Sequence, residues 1–434
     1  MSSLLSDMSP DVRARQKAVP CRGSGLAPSG SRSMNPNSDW PDATAVHAVL
    51  APVDALLAER RSLYRLAVEM FTGAPCALAD ERLDDPLFRF RVGEALAGRG
   101  EFVPEELPGD AVIRLSAGTF ALPLASGAPE HLARMLAVVH AQSGISGPPP
   151  RALTEADGER FRQARAVVEA GLAKVYDVVP GLAADLVPHT GLLVVLDRNT
   201  SRGLVSASSR LFPGLILVDE PACAYDVAEA LVHEGAHQKF FDLAITHDFL
   251  AEDLSRDRIF HPSWSGASWP VEQVIAAFHA YACLAQFGEE VRRRGETALL
   301  GENSLLLDAR DRETEIGHWL LGAEDALEYD ARWFLRTFLR EEVDRPQILP
   351  GNAPEGRYVL DPLVRLARTA TTGRVLLARP GTPPQLHWLD REAAEVVQWL
   401  ENEPVSADAL RPAQAAALAH LVESALVHRV PMPD

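Results

Sequence analysis

The chain has 434 residues, 47% of them hydrophobic, and a formal net charge of −18. That length exceeds what one hydrophobic core usually organises, so two or three folded units are expected. The acidic balance, with no long Lys/Arg run, excludes a phosphate-binding surface and so a nucleic-acid partner, and charged residues or proline interrupt every apolar stretch, which excludes a membrane-spanning helix.

Residues 1–42 are rich in Ser, Pro, Gly and Asn, lack the apolar core of a secretion signal, and are expected to be disordered. The four cysteines, Cys21, Cys76, Cys223 and Cys283, form no C-x-x-C pair and no disulfide spacing, which points to a reducing cytoplasm. Residues 43–145 read as a helical N-terminal region. The stretch "AVHAVLAPVDALLAERRSLYRLAVEMF" carries apolar residues at helical spacing and ends at Gly73 and Pro75, while "AVIRLSAGTFALPLA" allows short strands.

The "SGPPP" break at Ser146 to Pro150 opens the next region, 150–350. Thr154 is a cap candidate for an amphipathic helix ending near "YDVVP". Three short runs, "GLLVVLD", "GLVSASS" and "GLILVDE", then read as strands, because they are apolar and separated by turn-forming residues. They lead into a helix from about Tyr225 to Ala244 that contains "LVHEGAHQKF". A further helix starts at Pro270 and a third follows as one broken helix or two. Residues 355–434 form a C-terminal unit: a hairpin in "GRVLLARPGTPPQLHWLD", then helices and a closing strand, in the manner of a winged-helix or peptide-recognition module. The expected fold class is α+β, a mainly helical metal-binding core with a small sheet plus that small C-terminal module.

The chemistry concentrates in His-Glu-x-x-His. Residues four apart share one face of a helix, so His233 and His237 can offer nitrogens to the same cation, whereas Glu234 lies about 100° around and more naturally approaches a metal-bound water. A catalytic metal needs a third protein ligand. Glu272 and His279 in the next helix are the candidates: Glu272 matches peptidases whose third ligand is a later glutamate, but also suits a first helical turn, and His279 sits among apolar residues in "VIAAFHAYACL". His247, His261 and His318 are weaker candidates.

From about Val194 to Phe287 the order of features resembles the alpha-ketoglutarate-dependent HExxH-type peptide beta-hydroxylases of peptide natural-product clusters. The shared parts are a Ser-rich strand and a "PG" strand before "LVHEGAH", and "HPSWSGASWPVEQV" before "FHAY". The linker departs from that family in lacking its basic Trp-Arg and Arg-Pro spelling. The resemblance implies Fe(II) bound by His233, His237 and His279, with Glu234 close to the metal, and alpha-ketoglutarate as co-substrate; zinc is the alternative metal. It implies hydroxylation of a side-chain carbon of a peptide or peptide-like substrate, with a leader or carrier segment as the expected handle. The keto acid's distal carboxylate needs a cation or hydroxyl donors. Arg210 and Ser208, with Ser206 and Ser209, lie nearby in sequence, and Lys239 is a further candidate. A zinc metallopeptidase using Glu234 as base, and a non-catalytic peptide-binding protein, remain open.

Overall fold

The computed structural model describes residues 53–102, 111–117, 120–142, 146–246, 249–251, 258–339, 356–361, 364–368, 375–379, 385–401 and 404–430. The expectation of disorder over 1–42, Cys21 and His247 lie outside these residues. Cys76, Cys223 and Cys283 are free thiols. The fold is α+β, helical with several small sheets.

Helix α1 (Val53–Thr72) stops before Gly73, whose φ of +69° no longer continues a helix. Helix α2 (Pro86–Leu96) is capped by Asp85, whose carboxylate accepts from the Phe88 amide. The mixed segment resolves into a hairpin, β1 (Val112–Ala117) and β2 (Phe120–Ala125), followed by α3 (Glu130–Gln142). Helices α4 (Glu159–Val178) and α5 (Pro180–Leu186) come next. Thr154 caps the turn just before α4, with Asp157 answering it, and Gly158 stands at the helix start itself.

The three apolar runs are strands, as expected: β3 (Leu192–Leu196), β4 (Ser206–Ser208) and β5 (Leu215–Asp219). With the hairpin they form one five-stranded sheet in the order β1-β2-β3-β5-β4. Pairs β2/β3 and β3/β5 are parallel and β4/β5 is antiparallel. The hairpin from the N-terminal region therefore shares its sheet with the strands that lead to the motif. Strand β3 shows why its sequence is apolar throughout. Leu193 and Val195 face the main helical core, while Leu192, Val194 and Leu196 face a second core closed by α3. A strand covered on both faces has no wet side to alternate with.

Helix α6 (Ala224–Thr246) carries the motif, and α7 (Val271–Arg293) packs against it. The third predicted helix is two: α8 (Ala309–Leu321) and α9 (Tyr329–Leu339). A short pair, β6 (Ile259–Phe260) and β7 (Trp269–Pro270), precedes α7, for which Pro270 serves as N-cap. α4 also lies against α6, and closely: a Cβ on Gly171 would stand 2.4 Å from Val227 Cβ. Glycine is what permits that approach. The motif helix is thus enclosed by helices and by the sheet.

The C-terminal unit has two three-stranded sheets. One is β11-β10-β9, from β9 (Arg365–Arg368), β10 (Val375–Arg379) and β11 (Gln385–Leu389), with the expected β10/β11 hairpin. The other is β12-β8-β13, from β8 (Arg357–Leu360), β12 (Val405–Ser406) and β13 (Val427–Val430). Helices α10 (Arg391–Leu400) and α11 (Pro412–Glu423) share its separate core. Leu66 of α1 packs on Leu376 and Ala378 of β10, joining this unit to the N-terminal helix. Among the described residues no helix is long and apolar enough to cross a membrane.

Candidate metal centre

Helix α6 begins under the Asp226 carboxylate, which accepts from the Ala222 and Cys223 amides at 2.9 and 3.1 Å. Two turns further on, His233, Glu234 and His237 are all buried, at 1%, 0% and 4% exposure. One ligand atom from each lies within 4.8 Å of the other two. The imidazoles stand edge to face with ring centroids 4.9 Å apart, and their Nε2 atoms are 3.3 Å apart. The sequence spacing therefore does what helical geometry requires.

Glu234 is set by the neighbouring strand. Side chains two apart on a strand point the same way, so Ser206 and Ser208 of β4 both face α6 while Ala207 joins the opposite core. Ser206 Oγ donates to Glu234 Oε1 at 2.6 Å and Ser208 Oγ to Oε2 at 2.7 Å. Both carboxylate oxygens are occupied by hydroxyl donors, which fixes the plane of the group. Sequence proximity offers these serines as keto-acid binders; in the fold Ser206 and Ser208 bond Glu234. A cavity of about 430 Å³ beside the first half of α6 reaches Ser206, with Asp226, Glu229 and Ala230 along its wall.

Other predicted residues are placed as follows. His279, on α7, is fully buried, and its Nδ1 lies 2.9 Å from the Ala236 carbonyl. A carbonyl only accepts, so Nδ1 carries the proton. The ring is surrounded by Phe240, Phe334 and Phe338 at centroid separations of 6.1, 5.4 and 6.4 Å. It is not among the donors grouped within 4.8 Å. Residues two apart on a helix project about 200° apart, so Tyr281 leaves α7 on the other flank of the α6/α7 seam and meets His233 edge to face at 5.8 Å. Glu272, in the first turn of α7, is half-buried and also outside the group. Arg210 lies in the turn between β4 and β5, and Ser209 accepts from the Leu211 amide. Lys239 is buried in an ion pair with Asp185; burial pushes its ammonium pKa down, against the pull of that carboxylate. His261 bonds Ser268 and His318 is exposed.

Sequence reasoning missed two features. The first is an aromatic wall beside His233: Tyr281 meets Trp264 at 5.8 Å, and Trp264 meets Phe260 and Trp269 at 6.2 and 6.1 Å. Arg312 of α8 lies over Trp264 and Tyr281. The two tryptophans of "HPSWSGASWP" were its visible sign. The second is a charged cluster one turn past His237. Asp242 accepts from Arg60 at 2.5 Å, from Arg89 at 2.6 Å and from His189 Nδ1 at 2.6 Å. Burial, which acts to raise the Asp242 pKa, is outweighed by the Arg60 and Arg89 charges and the His189 bond, and the carboxyl is held well below the usual range. Burial pushes the His189 pKa down, against the pull of Asp242, to which its Nδ1–H donates.

The His/Glu/His group fits a divalent ion. With metal–nitrogen bonds of about 2.05 Å, two nitrogens 3.3 Å apart subtend an angle of about 107° at a shared ion. Two imidazoles and a carboxylate suit both Zn and non-haem Fe(II). The carboxylate is itself hydrogen-bonded, as metal-site carboxylates are. No protein-family model and no curated protein matches the chain. The group is accordingly a possible metal site on its geometry alone, and the ion is not identified by it.

Proposed function

We propose that this protein is an Fe(II)- and alpha-ketoglutarate-dependent hydroxylase acting on a side-chain carbon of a peptide. The observation that carries this reading is the Glu234 carboxylate held by Ser206 and Ser208 beside two histidines turned toward one point. A peptidase base must accept a proton from metal-bound water and then release it. A carboxylate with a hydroxyl donor on each oxygen is instead held in one orientation. Together with the Ser-rich strand, the "LVHEGAH" helix and the later "FHAY", this favours the hydroxylase family that the sequence resembles over a zinc peptidase.

In this reading His233 and His237 hold the metal. The family resemblance makes His279 the third ligand, and its proton on Nδ1, committed to Ala236, leaves the lone pair on Nε2, but the ring would have to move to join the group that His233, Glu234 and His237 already form. Glu234 is the competing third donor. When bound, Fe(II) would supply the centre at which dioxygen, the oxidant, is consumed: one oxygen atom goes to the keto acid, which is oxidised and loses CO2, and the other replaces a C–H bond with C–OH. The chain's own residues do the placement. The serines orient Glu234, and the wall of Trp264 and Tyr281 keeps water from His233. The edge strands β9 and β11 offer a peptide a place to add a strand, which suits a leader segment.

The test is anaerobic addition of Fe(II) and alpha-ketoglutarate. The expected result is a weak visible charge-transfer band that His233→Ala and His237→Ala abolish. Metal titration of His279→Ala and Glu234→Gln decides the third ligand, since the variant lacking a true ligand loses more affinity. Peptide cleavage with zinc and no need for a keto acid would overturn the reading.

A further inference from the structure

We propose that the cavity of about 760 Å³ between the start of α2 and the β1/β2 hairpin is a second ligand site, one that takes a compact organic monocarboxylate. None of its lining residues comes from α6, so the site is separate from the metal centre and does not depend on the hydroxylase reading.

The space is built before any ligand arrives. Side chains alternate along a strand, so Leu115, Leu122 and Leu124 enter the main helical core, while Val112, Arg114, Ala121 and Pro123 take the other face and line the cavity. Pro86, Val187, Pro188 and Leu192 complete an apolar wall. Two of its segments meet closely: a Cβ on Gly191 would stand 2.3 Å from the Asp84 carbonyl oxygen. Asp84 is in turn clamped by Arg60 and Arg61. Such a volume with a mainly apolar lining is that of a small-molecule pocket.

One polar group in the wall has nothing to bond. Thr190 lines the cavity and is only 5% exposed, and its Oγ1 has no hydrogen-bond partner among the described residues. A buried hydroxyl left unpaired costs free energy, so it marks a position where an atom of a ligand belongs.

The charge on offer selects the ligand. Asp80 accepts from Arg65 and Arg61 at 2.5 and 3.0 Å, Asp84 from Arg61 at 2.5 Å, and Asp85 caps α2 through the Phe88 amide. Glu81 is exposed. Arg114, also exposed, has no ion pair among the described residues, so its guanidinium is available where the other charges are spent. One guanidinium and one hydroxyl suit a single carboxylate, whose apolar body the wall then covers. The four acidic side chains around the same space disfavour a dianion such as phosphate.

The test titrates two probes of one shape, benzoate and neutral benzamide, into the full-length protein by ligand-observed NMR. Benzoate is expected to bind saturably and at least about tenfold more tightly than benzamide. Arg114→Gln should erase that preference, weakening benzoate about tenfold and leaving benzamide within about twofold. Thr190→Val should weaken both probes while the melting temperature of the ligand-free protein does not fall, since Oγ1 gives up no bond. Protein carrying His233→Ala and His237→Ala should bind benzoate as the wild type does, which separates this site from a carboxylate held at the metal. Arg114 is exposed on a hairpin, so Arg114→Gln carries the test if Thr190→Val does not fold. No saturable benzoate binding, an unchanged preference in Arg114→Gln protein, or loss of binding in the double histidine variant would overturn the assignment.

Discussion

Helix α6 carries two buried polar clusters, centred about two turns apart on Glu234 and Asp242, and they are built on opposite terms. Around Asp242 a carboxylate meets Arg60, Arg89 and His189, and Arg60 also meets Asp84, so two carboxylates balance two guanidinium groups that the chain itself supplies. Around Glu234 the carboxylate meets two neutral hydroxyls, while two imidazoles turn their Nε2 atoms to within 3.3 Å of each other. Both clusters are buried. The first has its carboxylate charge met by cations as folded and reads as structure. In the second, a buried carboxylate has donors that orient it and no Arg or Lys ion pair among the described residues, and the arrangement suits an ion from solution. Histidine and acid in one helix do not mark a metal site; the way their charge is balanced does.

The sharpest test of this contrast is stability without metal. Asp242→Ala strands two buried guanidinium groups and is expected to cost about 3–5 kcal/mol by urea denaturation. The His233→Ala/His237→Ala pair should cost less than about 2 kcal/mol in metal-free protein, since it removes polar rings without stranding a charge. Comparable losses in the two variants would erase the distinction.

Metal affinity should invert the order. His233→Ala or His237→Ala is expected to lower affinity for Fe(II) or Zn(II) by more than about a hundredfold, beyond the range of outer partners, in a chelator competition. Asp242→Asn, if folded, should change it only a few-fold.

Ser206→Ala and Ser208→Ala separate the two readings of the serine strand. As partners of Glu234 they should each lower metal affinity about 10–100-fold. A Ser208→Ala protein with unchanged metal affinity but weakened keto-acid binding would restore Ser208 as a ligand-binding residue.

The smallest effect concerns a third buried carboxylate, Glu313 of α8, which has a single cation, Arg310, at 2.5 Å. Burial pushes its pKa up to about 7, against the pull of Arg310. The folded state then holds a proton that the unfolded chain releases near pH 4.5. Stability should fall as pH rises from about 4.5 to about 7, by about 1–3 kcal/mol. Glu313→Gln should remove that slope in a series of melts across the window; an unchanged slope would assign it to other groups.

The elements of the fold were legible where the pattern was local. The motif helix, the three apolar strands, the β10/β11 hairpin and the helices of the C-terminal unit follow from periodicity and turn residues. The hairpin Val112–Ala125 was visible as strands, but not its membership in the core sheet, because the pairing of Leu124 with Leu193 joins distant segments. Within the site, the four-residue spacing alone placed His233 and His237 on one face. It could not assign Ser206 and Ser208, which look like ordinary strand serines until β4 lies against α6.

Sequence by itself thus determined that two histidines and a glutamate would share a helix, since 3.6 residues per turn needs no partner to act. Tertiary structure decided everything that depends on what faces that helix. It sent Ser206 and Ser208 to Glu234, and Arg60 and Arg89 across 182 and 153 residues of chain to Asp242. On α7 it placed Tyr281 on the His233 flank of the seam and set His279 against Ala236 and three phenylalanines. The physical reason is range: backbone periodicity fixes directions within an element, whereas charge balance and ligand geometry are settled only when elements from distant parts of the chain pack together.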